Sequence, residues 1–407
     1  MNKYKVIVSW VVFDIGVTSF FVGVVGMLFP LWVLNELNGT DATVGYTLSI
    51  AMLINMIVTP FVGKLSDHIS RRLPFVIVGI LVSVIATLFL GSTNLYIGIL
   101  LFSISVVAVY IANVIYGAML IEISSEENMG KVNGFGVGVG YLGAIVAIFI
   151  GIFVVDNWSY ARGFQSITFC MILSSIPLFL YYKDDNPKYF KRQNFQFDIR
   201  GILYGIKDAF IELKNAKEVS RFLFSRFWFT SSLYTAQTFA VVFGTDAAGF
   251  SAYQVQILLF LGVLVAIPGA IAWGFIVDKI GAKNSLVIVL SIWASILILC
   301  ACMPYFNLNK GLWLLIGVIT GVVISGVWAS DRPYMITLVP NKNFLGQYLG
   351  YHAVTGRLAA IFGPFSWGFI STTLGLGQIP AVLTLAIFSL TSVLFIVCFK
   401  NNSEVVA

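Results

Sequence analysis

Six residues able to hold a charge or a proton fall inside apolar stretches of this sequence: Asp14, Arg226, Asp331, Arg332, His352 and Arg357. A charge in hydrocarbon costs about 2.5–3.5 kcal/mol, so each must face a partner or a wet cavity. The guanidinium of Arg357 offers a planar fork that suits a carboxylate or phosphate. It can equally close an ion pair with Asp14 or Asp331. Asp14 can take a proton or an amine, or can pair with Arg226 or Arg357. Asp331 and Arg332 are adjacent, so on a helix they point about 100° apart and cannot line one contact together. His352 either titrates near neutral pH or packs as a hydrogen-bonded helix histidine. Helical spacing adds polar and aromatic neighbours: Thr18 four after Asp14, Asn113 with Tyr116, Tyr234 with Gln237, and Ser325 with Trp328.

These residues suit binding and proton exchange, not bond-breaking. The chain has 2 histidines, His68 and His352, and no Ser-His-Asp or metal-ligand spacing. The glycine run "GFGVGVGYLG" from Gly134 lacks the preceding strand and following Lys-Ser/Thr of a phosphate loop. Its small residues at helical spacing indicate close helix packing instead. No enzyme activity, cofactor or metal is expected; the one small ion the residues suggest is a coupling proton.

The elements holding these residues must be membrane helices. Of 407 residues 59% are hydrophobic and 10% charged, with mean hydropathy +0.94, too few polar groups to cover a water-soluble fold. Crossing the bilayer takes about 20 apolar residues. Twelve such spans are read at about 6–34, 43–65, 73–92, 95–121, 131–155, 163–182, 220–244, 252–277, 283–303, 311–339, 345–372 and 379–400. Asp14 then lies about 12 Å into its helix and Arg357 about 18 Å into its own, at 1.5 Å per residue. The predicted fold is an all-α polytopic membrane protein. A β-barrel would alternate in short segments.

The net charge of +6 does not indicate nucleic acid, because the basic residues gather in loops between spans. Loops after even-numbered spans carry Lys64, Arg71, Arg72, Lys131, Lys279, Lys283 and Lys342, whereas the opposite side holds Arg162 and Lys310. Both termini and the middle loop are therefore expected in the cytoplasm. The partners expected are the lipid bilayer and a small-molecule substrate, with the chain working as a monomer.

Two six-helix halves, 1–182 and 220–407, flank a polar linker at 183–219 that reads as an amphipathic helix on the inner leaflet. "GKLSDHISRR" at Gly63 is echoed by "GFIVDKIGAK" at Gly274, matching Asp67 to Asp278 and Arg72 to Lys283. Gly130, Gly134, Gly140, Leu142 and Ile145 likewise fall on Gly346, Gly350, Gly356, Leu358 and Ile361. Both copies follow an even number of spans, so the repeat is parallel.

The motif at Gly63 resembles the loop signature of the major facilitator superfamily, with Ser70 where a glycine is usual and Gly281 kept in the second copy. "SWVVFDIGVTSF" at Ser9, "IYGAMLIEIS" at Ile115 and "SDRPYMITLVPNKNFLGQYLGYHAVTGRLAAIFGP" at Ser330 are similar to the vacuole-effluxer-like family within it. Departures are Ser231 and Ser232 in place of an Asp-Gly pair, and Gly117 where an asparagine is common. The resemblance implies two pseudo-symmetric bundles, a cavity lined by helices one, four, seven and ten, and alternating-access transport of a small organic solute. Amino acids are the substrates in the vacuolar relatives. The runner-up is efflux of amphipathic compounds, and a third reading is a non-transporting sensor. Gly63, Asp67, Arg71 and Arg72, with Gly274, Asp278 and Lys283, are then expected to form a gating latch. In it the glycines allow close helix approach, Asp67 sits by the start of helix eleven, and Arg72 pairs with an acid such as Glu122.

Overall fold

The structure, a computed structural model, describes residues 3–69, 71–124, 129–155, 157–184, 213–305, 311–340 and 345–398. Most of the expected linker helix lies outside these residues, as do the side chains of Lys64 and Asp67. Among the described residues all regular structure is helical, as it must be where hydrocarbon offers the backbone no hydrogen-bond partner.

Among the described residues twelve long helices follow one another. Helix α1 runs Lys3–Ser19, continues as a π-helical stretch Phe20–Leu28 and ends with Phe29–Asn35. Then come α2 (Asp41–Ile69), α3 (Leu73–Phe89), α4 (Leu95–Ile123), α5 (Met129–Ile150) and α6 (Tyr160–Tyr181). The second set is α7 (Lys217–Val242), α8 (Ala252–Ile280), α9 (Ala282–Tyr305), α10 (Gly311–Leu338), α11 (Leu345–Gly368) and α12 (Gln378–Val397). Among the described residues nine are long and apolar enough to cross a membrane by length and composition, and α3 is a shorter apolar helix. The two long helices that fall short are α7 and α11, which carry Arg226, His352 and Arg357. The chain is a multi-pass membrane protein.

Local chemistry sets the helix ends. Asn94 accepts from the Ile97 N–H at 3.1 Å to cap α4, and Ser159 accepts from Arg162 at 3.3 Å to cap α6. Helix α3 has no capping side chain of its own. Asp184, just past α6, accepts instead from the N–H groups of Arg72 at 2.8 Å and Leu73 at 3.3 Å. Gly281 turns the chain from α8 into α9 at φ +83°, a left-handed conformation that favours glycine.

The chain divides into two compact units, Met1–Phe195 with Thr238–Phe260 and Gln196–Gln237 with Leu261–Ala407. The division cuts α7 and α8, and in the first unit Phe260 meets Phe149 of α5 at 5.7 Å between ring centroids. In the first unit α1 packs on α5 and α6, while α3 and α2 pack on α4. Ser105 joins α3 and α4 through Ser83 at 2.9 Å and Thr87 at 2.6 Å, polar contacts that hold helices together where lipid competes for apolar surface. In the second unit α9 packs on α10 and α12. Ser225 and Ser392 tie α7 to α12 at 2.7 Å, and the Trp293 indole N–H donates to Ser232 at 3.0 Å.

The repeat extends to helix shape. π-helical turns end α5 (Gly151–Val155), α7 (Phe243–Ala247) and α11 (Phe369–Thr373), and one interrupts α1. These are the first and fifth helices of each set of six. A π turn widens the helix locally and redirects it.

Candidate functional site

In the first unit, α1, α4 and α5 line a half-open cavity of about 170 Å³ bounded by Trp10, Asp14, Asn113, Tyr116, Gly117, Asn133, Gly136 and Val137. Reciprocal hydrogen bonds build its wall. The Trp10 indole N–H donates to the Tyr116 carbonyl at 3.1 Å, and the Tyr116 hydroxyl donates to the Trp10 carbonyl at 3.0 Å. The two rings stack at 4.6 Å and 13°, with Phe13 against Tyr116 at 4.7 Å. Glycines let α5 close on this wall. A Cβ at Gly136 would lie 2.7 Å from the Trp10 ring, and one at Gly143 would strike the carbonyl of Ile15.

Asp14 sits partly buried in this cavity. A Cβ at Gly140 would overlap its carboxylate and would lie 3.2 Å from the Thr18 hydroxyl. The Tyr116 hydroxyl is engaged with Trp10, so it does not serve Asp14. Among the described residues Asp14 makes no ion pair or hydrogen bond, and neither do the side chains of Asn113 and Asn133.

The second unit holds the opposite arrangement, a cluster of charges that satisfy one another. Arg226 of α7 donates from Nε to both oxygens of Asp331 on α10 at 3.1 Å. Its Nη1 donates to the His352 carbonyl on α11 at 2.8 Å. The His352 ring lies 3.0 Å from the same carboxylate. Arg226, Asp331 and His352 are 5%, 3% and 8% exposed, so the three helices meet at a charge cluster closed to solvent. Gly356 makes room for it, since a Cβ there would lie 2.9 Å from Arg226 Nη1. Phe222 covers the His352 ring at 6.4 Å. The partner of Arg226 is therefore Asp331 and not Asp14. Asp331, already holding two partners, is not bound to Arg357.

Arg357 is half-buried on α11 and makes no ion pair or hydrogen bond among the described residues. Arg332 is exposed while Asp331 beside it is buried, as adjacent helical positions require. Tyr234 and Trp328 stack at 5.9 Å, and Gln237 is exposed one turn along α7.

At the loop between α2 and α3, Arg72 pairs with Glu122 at 3.1 Å and donates to the Ala118 carbonyl. The Tyr182 hydroxyl donates to Glu122 as well. Together with Asp184 this ties the ends of α3, α4 and α6. Arg71 is exposed. In the second copy Asp278 is exposed and Lys283 half-buried, and neither forms an ion pair among the described residues. Open space surrounds a Cβ built at Gly63 or Gly274, so neither glycine is a close-packing position in this structure.

Sequence reasoning missed Asn133 and Trp10. Trp10 lies four before Asp14 and shares its face, a signal that was available. Asn133 is hidden by its surroundings, since the glycines around it give no face that could be read.

Residues 13–364 match the family model of the Major Facilitator Superfamily. An "Uncharacterized MFS-type transporter YxiO" of Bacillus subtilis is 23% identical over 410 residues, covering 96% of this chain and 92% of the relative. "Autophagy-related protein 22-2" of Aspergillus clavatus is 22% identical over 280 residues, covering 63% of this chain and 46% of that protein. Among solved structures the nucleoside transporter NupG superimposes with a TM-score of 0.75 at 16% identity, covering 99% of this chain and 100% of that one, a likeness of fold.

Proposed function

From the premise that the chain belongs to the Major Facilitator Superfamily, we propose that its solute is a small organic zwitterion of the amino acid class, moved with a proton. As a member of that superfamily the chain is a secondary transporter of small solutes and not an enzyme. The observation that carries the finer reading is which charges the protein leaves open. Arg226, Asp331 and His352 compensate one another, whereas Asp14 and Arg357 have no protein partner among the described residues. A lone buried charge is costly unless a ligand or a proton meets it. Taken separately, Asp14 of the first unit suits an ammonium group, and Arg357 of the second suits a carboxylate.

Asp331 and His352 share one contact at 3.0 Å and lie against a fixed guanidinium. Breaking the hold of Arg226 on α10 would bias the packing of α7. The excess of basic residues in loops after even-numbered spans supports cytoplasmic termini in a cell membrane.

Purified protein in sealed liposomes, offered labelled amino acids under an imposed pH gradient, tests this. Uptake that follows the gradient and falls at least about tenfold in Arg357→Ala is the expected result, a loss equivalent to about 1.4 kcal/mol. Uptake indifferent to both would refute it.

A further inference from the structure

We propose that the cavity between α1, α4 and α5 is a pocket for a primary ammonium group, with Asp14, Asn113 and Asn133 as its three acceptors. This deepens the reading that Asp14 meets the amine of the solute, and rests on it. Several observations converge. The three side chains lining the cavity with unused acceptor oxygens are one carboxylate and two amides. A primary ammonium presents three N–H donors and no acceptor, which matches that set in number and kind. Among the described residues no lysine or arginine lines the space, so an ionised Asp14 meets no positive charge among them.

Size and wall chemistry narrow the ligand further. About 170 Å³ accommodates a head group and a short alkyl stem. Drug-sized ligands occupy about 300–1,000 Å³. Trp10, Tyr116, Gly136 and Val137 supply an apolar lining where the carbon next to the nitrogen would lie. A hard divalent ion would ask for about six to eight oxygens, more than these side chains provide. A quaternary ammonium would leave all three acceptors unused.

The recognition is thus of the N–H bonds as well as the charge. The Tyr116 hydroxyl does not take part, because it is held by the Trp10 carbonyl at 3.0 Å. The stacked pair instead fixes the wall between α1 and α4.

Thermal stability of the full-length protein, titrated at constant ionic strength with ethylammonium, tetramethylammonium or sodium chloride, reads this pocket directly. Ethylammonium alone should give a saturable upward shift. Asn133→Ala, at an exposed position, should raise its midpoint at least about threefold, and Asp14→Asn should abolish the shift. The pocket is overturned if ethylammonium gives no saturable shift, if tetramethylammonium or sodium matches it, or if both variants respond as the parent does. Amino acid uptake in liposomes without any ethylammonium shift would sink this inference alone. An ethylammonium shift with no uptake of any amino acid would sink the proposed function alone.

Discussion

Gly140 of α5 lies directly beneath the carboxylate of Asp14 on α1, so that a Cβ at position 140 would occupy the place of the carboxylate oxygen. The sequence repeat pairs Gly140 with Gly356, and Gly356 does the same for the guanidinium of Arg226. Each half thus uses a glycine on its fifth helix to seat a charged side chain from its first. The charges are opposite in sign, and only the one in the second half is compensated by protein groups among the described residues.

Gly140→Ala should therefore act on Asp14 before it acts on folding. The added methyl group meets a side chain that can rotate away, so α5 need not separate from α1. Solute binding should weaken at least about tenfold while the melting temperature stays near that of the parent. Gly138→Ala, where no atom lies within 4 Å of the new Cβ, should leave binding unchanged. Equal binding by both variants would show that the position of the Asp14 carboxylate does not matter.

The same pattern marks what can be read from sequence. The all-helical membrane fold was legible because bilayer thickness imposes a length and composition on each helix, and the reading of two repeated halves rests on glycines of α5 and α11 that recur in register. Asp14, Asn113 and Tyr116 stood out as polar residues at helical spacing, and the structure brings them to one cavity. The pairing of Arg226 with Asp331 was not legible. Asp14, Arg226, Asp331 and Arg357 on four helices allow several pairings, and only the rotation of each helix selects one. The latch glycines Gly63 and Gly274 resemble packing glycines in sequence, yet nothing approaches them here.

Breaking the buried cluster should cost more than removing it. Asp331→Ala leaves Arg226, 5% exposed, without its counter-ion, and one-sided loss of a buried pair costs about 3–5 kcal/mol. The double change Arg226→Met with Asp331→Leu should recover most of that stability. Thermal unfolding in detergent checks this. If the double variant melts no higher than Asp331→Ala, the cluster is not an ion pair in the energetic sense. Transport driven by a pH gradient should be lost in both variants.

The cap on α3 comes from outside the helix, so its loss should be local. Asp184→Ala removes the acceptor for the N–H groups of Arg72 and Leu73, at a cost of about 0.5–2 kcal/mol. Hydrogen exchange should rise at the first turn of α3 and not in α9. Exchange raised equally across both units would contradict a capping role.

Orientation can be settled with a residue already present. Cys398 is exposed at the end of α12, whereas Cys170, Cys300 and Cys302 are partly buried. Cytoplasmic termini are the expectation from the loop charges, since the electrical asymmetry of insertion retains lysine and arginine on the inner side. A membrane-impermeant maleimide should therefore label Cys398 in inside-out vesicles and leave it unlabelled in intact cells, and Cys398→Ser should remove the signal. Labelling in intact cells would reverse the topology. The ends of α3, α4 and α6 that Arg72, Glu122 and Asp184 tie together would then face outward.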